Sequence, residues 1–187
     1  MNPSTEDILN AADKINADTI FVLPNNSNII LASNQAASII EDKKLIVIPT
    51  KTIPQGITAM INFELTRSAD ENEKAMLESL STVKSGQLTY AVRDTSIDGK
   101  EIKKDNYLGL GDNGLASVGT DMDDTLIDML SVFVDDESEL ISVYYGEDID
   151  ENKAEELVYK IEEKFDGVDV ELQYGGQPVY YYIVSVE

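Results

Sequence analysis

Between Ser4 and Ile15 the apolar residues recur at helical intervals, so that Ile8, Leu9, Ala12 and Ile15 share one face. Ser4 or Thr5 can cap this segment, and Glu6 and Asp7 place negative charge in its first turn. The pattern predicts an amphipathic helix. Thr19 to Leu23 is instead a short continuous β-rich run halted by Pro24, and Ser27 to Ile40 returns to helical spacing. A second strand is expected over Leu45 to Pro49. Strands that are apolar along their whole length, with a helix between them, are buried on both faces and favour a parallel sheet. A polar loop, a helix beginning near Gly56 and a charged helix around Asp70 to Val83 complete this half.

Near Ser85 and Gly86 the pattern changes. Leu88 to Arg93 and Glu101 to Leu108 read as strands, with Ile97, Asp98, Gly99 and Lys100 forming a hairpin-type turn between them. Gly109, Gly111, Gly114 and Gly119 suggest a loop-rich stretch. Thr120 or Asp121 then caps a helix whose Met122, Leu126, Met129 and Phe133 make one stripe. Leu140 to Tyr145 reads as a buried strand. A helix from about Asp150 to Phe165 turns Ala154, Leu157, Val158, Ile161 and Phe165 inward, and Gly167 is placed to end it. Two closing strands, Val168 to Tyr174 and Val179 to Val186, flank the turn Gly175 to Pro178. The expected fold class is therefore α/β in two small subdomains. Residues 1–85 form a parallel sheet flanked by helices, and residues 86–187 form a mixed sheet with helices.

Composition narrows the function. At 187 residues and 42% hydrophobic content the chain has enough apolar material for a core. It contains no histidine and no cysteine, which removes imidazole bases, thiolate nucleophiles, disulfides and the commonest zinc sites. The net charge is −22, and the excess is uneven: residues 1–85 carry 11 acids and 7 bases, residues 86–187 carry 25 and 7. Such a field repels nucleic acid and anionic membrane surfaces and attracts a basic partner. No apolar run reaches the length needed to span a bilayer, and MNPSTEDI lacks the pattern of a signal peptide. The expected location is cytoplasmic.

Two loops suggest binding. Asn25, Asn26 and Ser27 join a strand end to a helix start, where free amides and the helix dipole suit an anion. Thr50, Lys51, Thr52, Gln55 and Gly56 occupy the equivalent place after the next strand, the edge of an open α/β sheet where ligands gather. The same residues also serve simply to turn the chain and cap helices. Their order is not that of the Walker phosphate loop. The acids around Asp121, Asp135 and Asp150 invite a magnesium reading, but they match no calcium loop, and two of the clusters precede helices, where acids are expected anyway. No metal site is expected. Tyrosines 174, 144, 145, 180, 181 and 182 form the main aromatic concentration, fit for a core or for a groove facing a partner or an acyl chain.

Three segments together carry a family resemblance: Pro49 to Gly56 (PTKTIPQG), Tyr144 to Ile149 (YYGEDI), and Gly175 to Glu187 (GGQPVYYYIVSVE). The chain resembles the carboxy-terminal region of the A-type kinase subunit of bacterial fatty acid kinase, a family also described as dihydroxyacetone-kinase-like fusion proteins. The resemblance implies an amino-terminal kinase domain binding ATP and magnesium, and a middle domain, both outside this chain. No cofactor is then expected for this fragment, in which Met1 would be an expression start. It also implies a partner, a separate DegV-type fatty-acid-binding protein that presents an acyl carboxylate for phosphorylation. The layout is itself similar to the DegV type. Those carriers hold the carboxylate with hydroxyl residues and a histidine in a motif like His-Thr-Gly-Pro-Gly. Here the matching stretch is Tyr174, Gly175, Gly176, Gln177 and Pro178, without histidine, which favours docking to the carrier or to the other kinase domains over fatty acid binding. The alternatives are a lipid- or anion-binding module using a cleft between the subdomains, near Thr50, Thr52 and Gln177, and an independent enzyme built on carboxylates, lysine, serine or tyrosine.

Overall fold

The computed structural model describes residues 2–97 and 99–187. Among these the chain divides into two compact units, Met1–Val83 and Lys84–Glu187. The first is built on two parallel strands, β1 (Thr19–Val22) and β2 (Lys44–Val47), in register from Thr19 opposite Lys44 to Val22 opposite Val47. Each strand sends alternate residues to opposite faces. Ile20 and Leu45 pack with Ala12 of α1 (Thr5–Asp13) and Ala36 of α2 (Ser27–Ile39). Phe21, Ile46 and Ile48 pack on the other side with Ala59 of α3 (Ile53–Ile61) and Met76 of α4 (Ala69–Ser79). The result is the parallel α/β layering expected from the sequence.

The helix ends have local causes. Ser4 and Asp7 form a capping box at α1, and Ser68 and Glu71 form another at α4. α3 begins at Ile53, earlier than Gly56, because Thr52 caps it and Pro54 occupies its first turn. α4 stops at Ser79 rather than Val83. Hydroxyls of Ser79, Ser81 and Thr82 donate to the carbonyls of Met76, Glu78 and Ser79 and take over the acceptors left by the last turn.

The second unit is a six-stranded mixed sheet. Its strands are β3 (Lys84–Tyr90), β6 (Tyr107–Gly111), β7 (Gly114–Gly119), β8 (Leu140–Tyr145), β9 (Asp169–Tyr174) and β10 (Tyr182–Val186), ordered β7-β6-β3-β10-β8-β9. All neighbours are antiparallel except β8 and β9, which α6 (Glu151–Lys164) connects as a crossover. A separate two-stranded hairpin pairs β4 (Thr95–Ile97) with β5 (Lys100–Ile102). Helix α5 (Met122–Phe133) sends Leu126, Met129, Leu130 and Phe133 into the core, α6 sends Ala154, Leu157 and Ile161, and all meet Val143, Tyr182 and Val184 from the strands.

Several sequence expectations are corrected here. The glycine-rich stretch from Gly109 to Gly119 is the β6–β7 hairpin, not a loop. Its glycines make room for α5: a Cβ on Gly111 would lie 2.7 Å from the Phe133 ring, and one on Gly86 would meet the same ring at 2.7 Å. The strand expected over Glu101 to Leu108 is broken into β5 and β6. Asp105 turns the chain at φ 68, and the Asn106 side chain accepts from the Lys103 N–H at 2.8 Å. Of the expected hairpin turn, Asp98 lies outside the described residues. The last strand starts at Tyr182, three residues later than Val179, and β8 separates it from β9.

Candidate functional site

In the first unit the two strand-end loops meet. The N–H of Asn25 donates to the hydroxyl of Thr50 at 2.9 Å, and Thr50 is fully buried. Asn25 holds a left-handed backbone, φ 53, which asparagine tolerates better than most residues. Its carboxamide lies over Gly56, where a Cβ would come within 2.2 Å of Asn25 Oδ1. That oxygen is buried and has no hydrogen-bond partner among the described residues.

The remaining members of the loops are occupied with structure. Asn26 caps α2 by accepting from the N–H of Asn28 at 2.9 Å, and Ser27 is the exposed first residue of that helix. Thr52 caps α3 through the N–H of Gln55. Gln55 is buried and accepts from the N–H of Lys51 at 2.8 Å, so the loop closes on itself while Lys51 is exposed. Beside Asn25 and Gly56 runs an open groove of about 400 Å³ along α3. Its aliphatic wall is solvated: Ile53 is 50%, Met60 57% and Ile61 75% exposed.

In the second unit the loop after β9 is tied to the end of β8. Gly175 and Gly176 donate their N–H groups to the Tyr145 carbonyl at 3.0 and 3.2 Å, and Gln177 Nε2 donates to the Tyr144 carbonyl at 2.9 Å. The N–H of Glu147 returns to the Gln177 carbonyl at 3.2 Å. Pro178 and Tyr180 then close a three-residue turn, with a 2.8 Å bond between them and Val179 held at φ 73. A positive φ at a β-branched residue is strained, and this side chain is 64% exposed.

Around this loop the sheet collects tyrosines. In register, Tyr107 stands opposite Tyr90, and one row runs from Leu88 through Tyr182 and Tyr145 to Tyr174. Tyr144 lies one residue inward, and Tyr180 and Tyr181 lead into β10. Of the nine tyrosines in the chain, only Tyr159 on α6 is away from this end of the sheet. Tyr181 lies between Tyr107 and Tyr90, with ring centroids at 5.8 and 6.0 Å, and Tyr145 packs on Tyr174 at 5.2 Å. Burial pushes the hydroxyls of Tyr145, Tyr181 and Tyr182 above the usual phenol range, and the acids Glu151, Asp148 and Asp123 respectively push in the same direction. All three therefore stay neutral and keep their donor hydrogens at neutral pH. Tyr174 is 66% and Tyr90 42% exposed, so part of the cluster faces solvent.

Sequence reasoning found six of these eight tyrosines but not Tyr90 and Tyr107. Their only local signal was a position at a strand end, and it acquires meaning once β3 and β6 are known to pair. Among the described residues no group of three or more acidic side chains is arranged to hold a metal ion. No helix among them is long and apolar enough to cross a membrane.

Comparison with known proteins gives this geometry a context. The chain is 46% identical over 187 residues to Protein YloV of Bacillus subtilis (strain 168), and 45% identical over the same length to an uncharacterized protein of Staphylococcus aureus (strain MRSA252). Each match takes in 100% of this chain but only 34% of the relative, so the chain spans about a third of the length of these relatives. Among solved structures, a DegV family protein from Corynebacterium glutamicum superposes with a TM-score of 0.71 at 11% identity, covering 99% of this chain and 83% of that one. The Streptococcus pneumoniae fatty acid kinase B3 protein, loaded with linoleic acid, gives 0.68 at 14% identity, covering 99% and 76%. The DegV fatty acid binding protein from Bacillus subtilis gives 0.63 at 13%, covering 98% and 77%. At these identities the likeness is one of fold, and the fold is of the DegV type, as the resemblance implied. The family model for the C-terminal region of FakA-like proteins, the A-type subunits of fatty acid kinase, matches residues 1–187 from end to end, and the chain belongs to that family.

Proposed function

We propose that this chain is a non-catalytic docking domain of a fatty acid kinase and that it engages a DegV-type fatty-acid-binding protein through the tyrosine end of its second unit. The single observation that carries the reading is the collection of eight tyrosines at one end of one sheet, two of them open to solvent. Tyrosine is enriched where proteins meet, because it combines a large apolar ring with a polar tip and loses little rotamer freedom. The partly exposed ring of Tyr90, the exposed ring of Tyr174 and the aliphatic tip of Val179 supply the anchors. Exposed Glu147 and Asp148 give them an acidic rim, which suits a partner with basic residues around an apolar patch.

The family supports the kinase context, and the DegV-type structures supply the natural candidate for the partner, since one of them is a fatty acid kinase B3 protein loaded with linoleic acid. The loop Gly175 to Gln177 supports docking over ligand capture. Its amides and the Gln177 side chain already serve the Tyr144 and Tyr145 carbonyls and leave little to hold a carboxylate. Calorimetric titration of a fatty-acid-loaded DegV-type protein into the chain is the test. Saturable 1:1 association supports the reading. No association, together with unchanged partner affinity and kinase kinetics after deletion of this domain from the whole protein, contradicts it.

A further inference from the structure

The groove along α3 has a chemistry that docking at the tyrosine end does not use, and it lies in the other unit. Its wall is made by Leu23, Ile53, Ile57, Met60 and Ile61, all aliphatic. At one end stands the Asn25 carboxamide over Gly56, with Oδ1 buried and unpartnered. A buried carbonyl oxygen without a donor is costly, and a left-handed asparagine backbone adds to that cost. Among the described residues no charged side chain lines the groove, so nothing there offsets the desolvation of a charged head. No aromatic ring among them lines it either, which suits a flexible chain better than a flat one.

We propose that this groove binds a single aliphatic chain ending in a neutral hydrogen-bond donor, a hydroxyl or a primary amide, which donates to Asn25 Oδ1. The chain covers Ile57, Met60 and Ile61, and the carboxamide lifts off Gly56 to meet the head group. A carboxylate of the same length is the wrong ligand, because it brings no donor and must leave its charge unpaired.

Proton–nitrogen correlation spectra of the 187-residue chain, titrated in turn with octan-1-ol, octanamide, octane and sodium octanoate, test this directly. Octanol and octanamide are expected to shift the amide signals of Asn25, Gly56, Ile57 and Met60. Octane should bind about tenfold more weakly, the loss expected for one hydrogen bond, and octanoate at neutral pH at least as weakly as octane. Asn25→Gly keeps the left-handed backbone and removes the carboxamide, and it should erase the preference for octanol over octane. Met60→Lys, at an exposed position, should weaken all four. Octanoate binding as tightly as octanol overturns the neutral-head assignment. Octanol that moves none of these signals, or that binds no better than octane, overturns the site.

Discussion

The carboxamide of Asn25 fills the space where Gly56 would otherwise carry a side chain, so closely that a Cβ there would sit 2.2 Å from Oδ1 and 2.8 Å from Cγ. Two loops that follow different strands of the small parallel sheet are thus interlocked through one amide, and the buried bond from the Asn25 N–H to Thr50 holds them from the other side. Gly56→Ala must displace that amide. Alanine gains about 1 kcal/mol of helix propensity within α3, but forced overpacking costs about 1–3 kcal/mol, so a net loss of about 1–2 kcal/mol is expected. Urea denaturation reads it. Equal or greater stability would show that the interlock is loose.

Val179 carries the opposite expectation. It adopts φ 73 on an exposed turn, where a β-branched side chain costs about 1–2 kcal/mol that glycine would not incur. Glycine gives back part of this through its freer unfolded chain, so Val179→Gly should stabilise by about 0.5–1 kcal/mol. A fall in the urea midpoint would mean that the Val179 side chain makes contacts that outweigh its strain.

Much of the first unit was legible because its strands and helices follow simple periods. Ile20 and Leu45, at the second positions of β1 and β2, pair in register as continuous apolar runs should. In the second unit the glycines misled. Gly109 and Gly111 read as loop residues, whereas they are strand positions emptied so that Met129 and Phe133 can approach, a long-range demand that no local window contains. The candidate loops around Asn25 and Thr50 were legible as strand-to-helix junctions, but the interlock of Asn25 with Gly56 and the exposed aliphatic face of α3 were not. The tyrosine end was half legible: Tyr180, Tyr181 and Tyr182 stand together in the chain, while Tyr90 and Tyr107 join them only through pairing across the sheet.

The core of the second unit makes an ordinary but firm prediction. Leu126 of α5 is fully buried among strand and helix residues. Leu126→Ala should cost about 2–5 kcal/mol through lost burial and the cavity left behind. A loss well below that range would mean that the helix settles onto the sheet.

The capping box of α4 sets a pH dependence. The carboxylate of Glu71 accepts from the hydroxyl and the N–H of Ser68, and these bonds hold its pKa below the ordinary glutamate value of 4.5. A depressed carboxylate stabilises the fold above the unfolded pKa, and the contribution is lost as pH falls through the folded one. Wild type should therefore exceed Glu71→Gln in thermal midpoint at neutral pH, with the gap closing below about pH 4.5. A gap that persists at about pH 2, or widens there, would assign the difference to something other than the charged form of Glu71.

The central claim is that the tyrosine end docks an acyl-carrying DegV-type protein, and the most direct measurement is a calorimetric comparison of that association across three single variants. Tyr90→Ala and Tyr174→Ala should each weaken binding about tenfold or more, as loss of an interface aromatic does, while Met60→Lys in the first unit leaves it unchanged. Undiminished binding by both tyrosine variants, or a loss confined to Met60→Lys, would contradict the account.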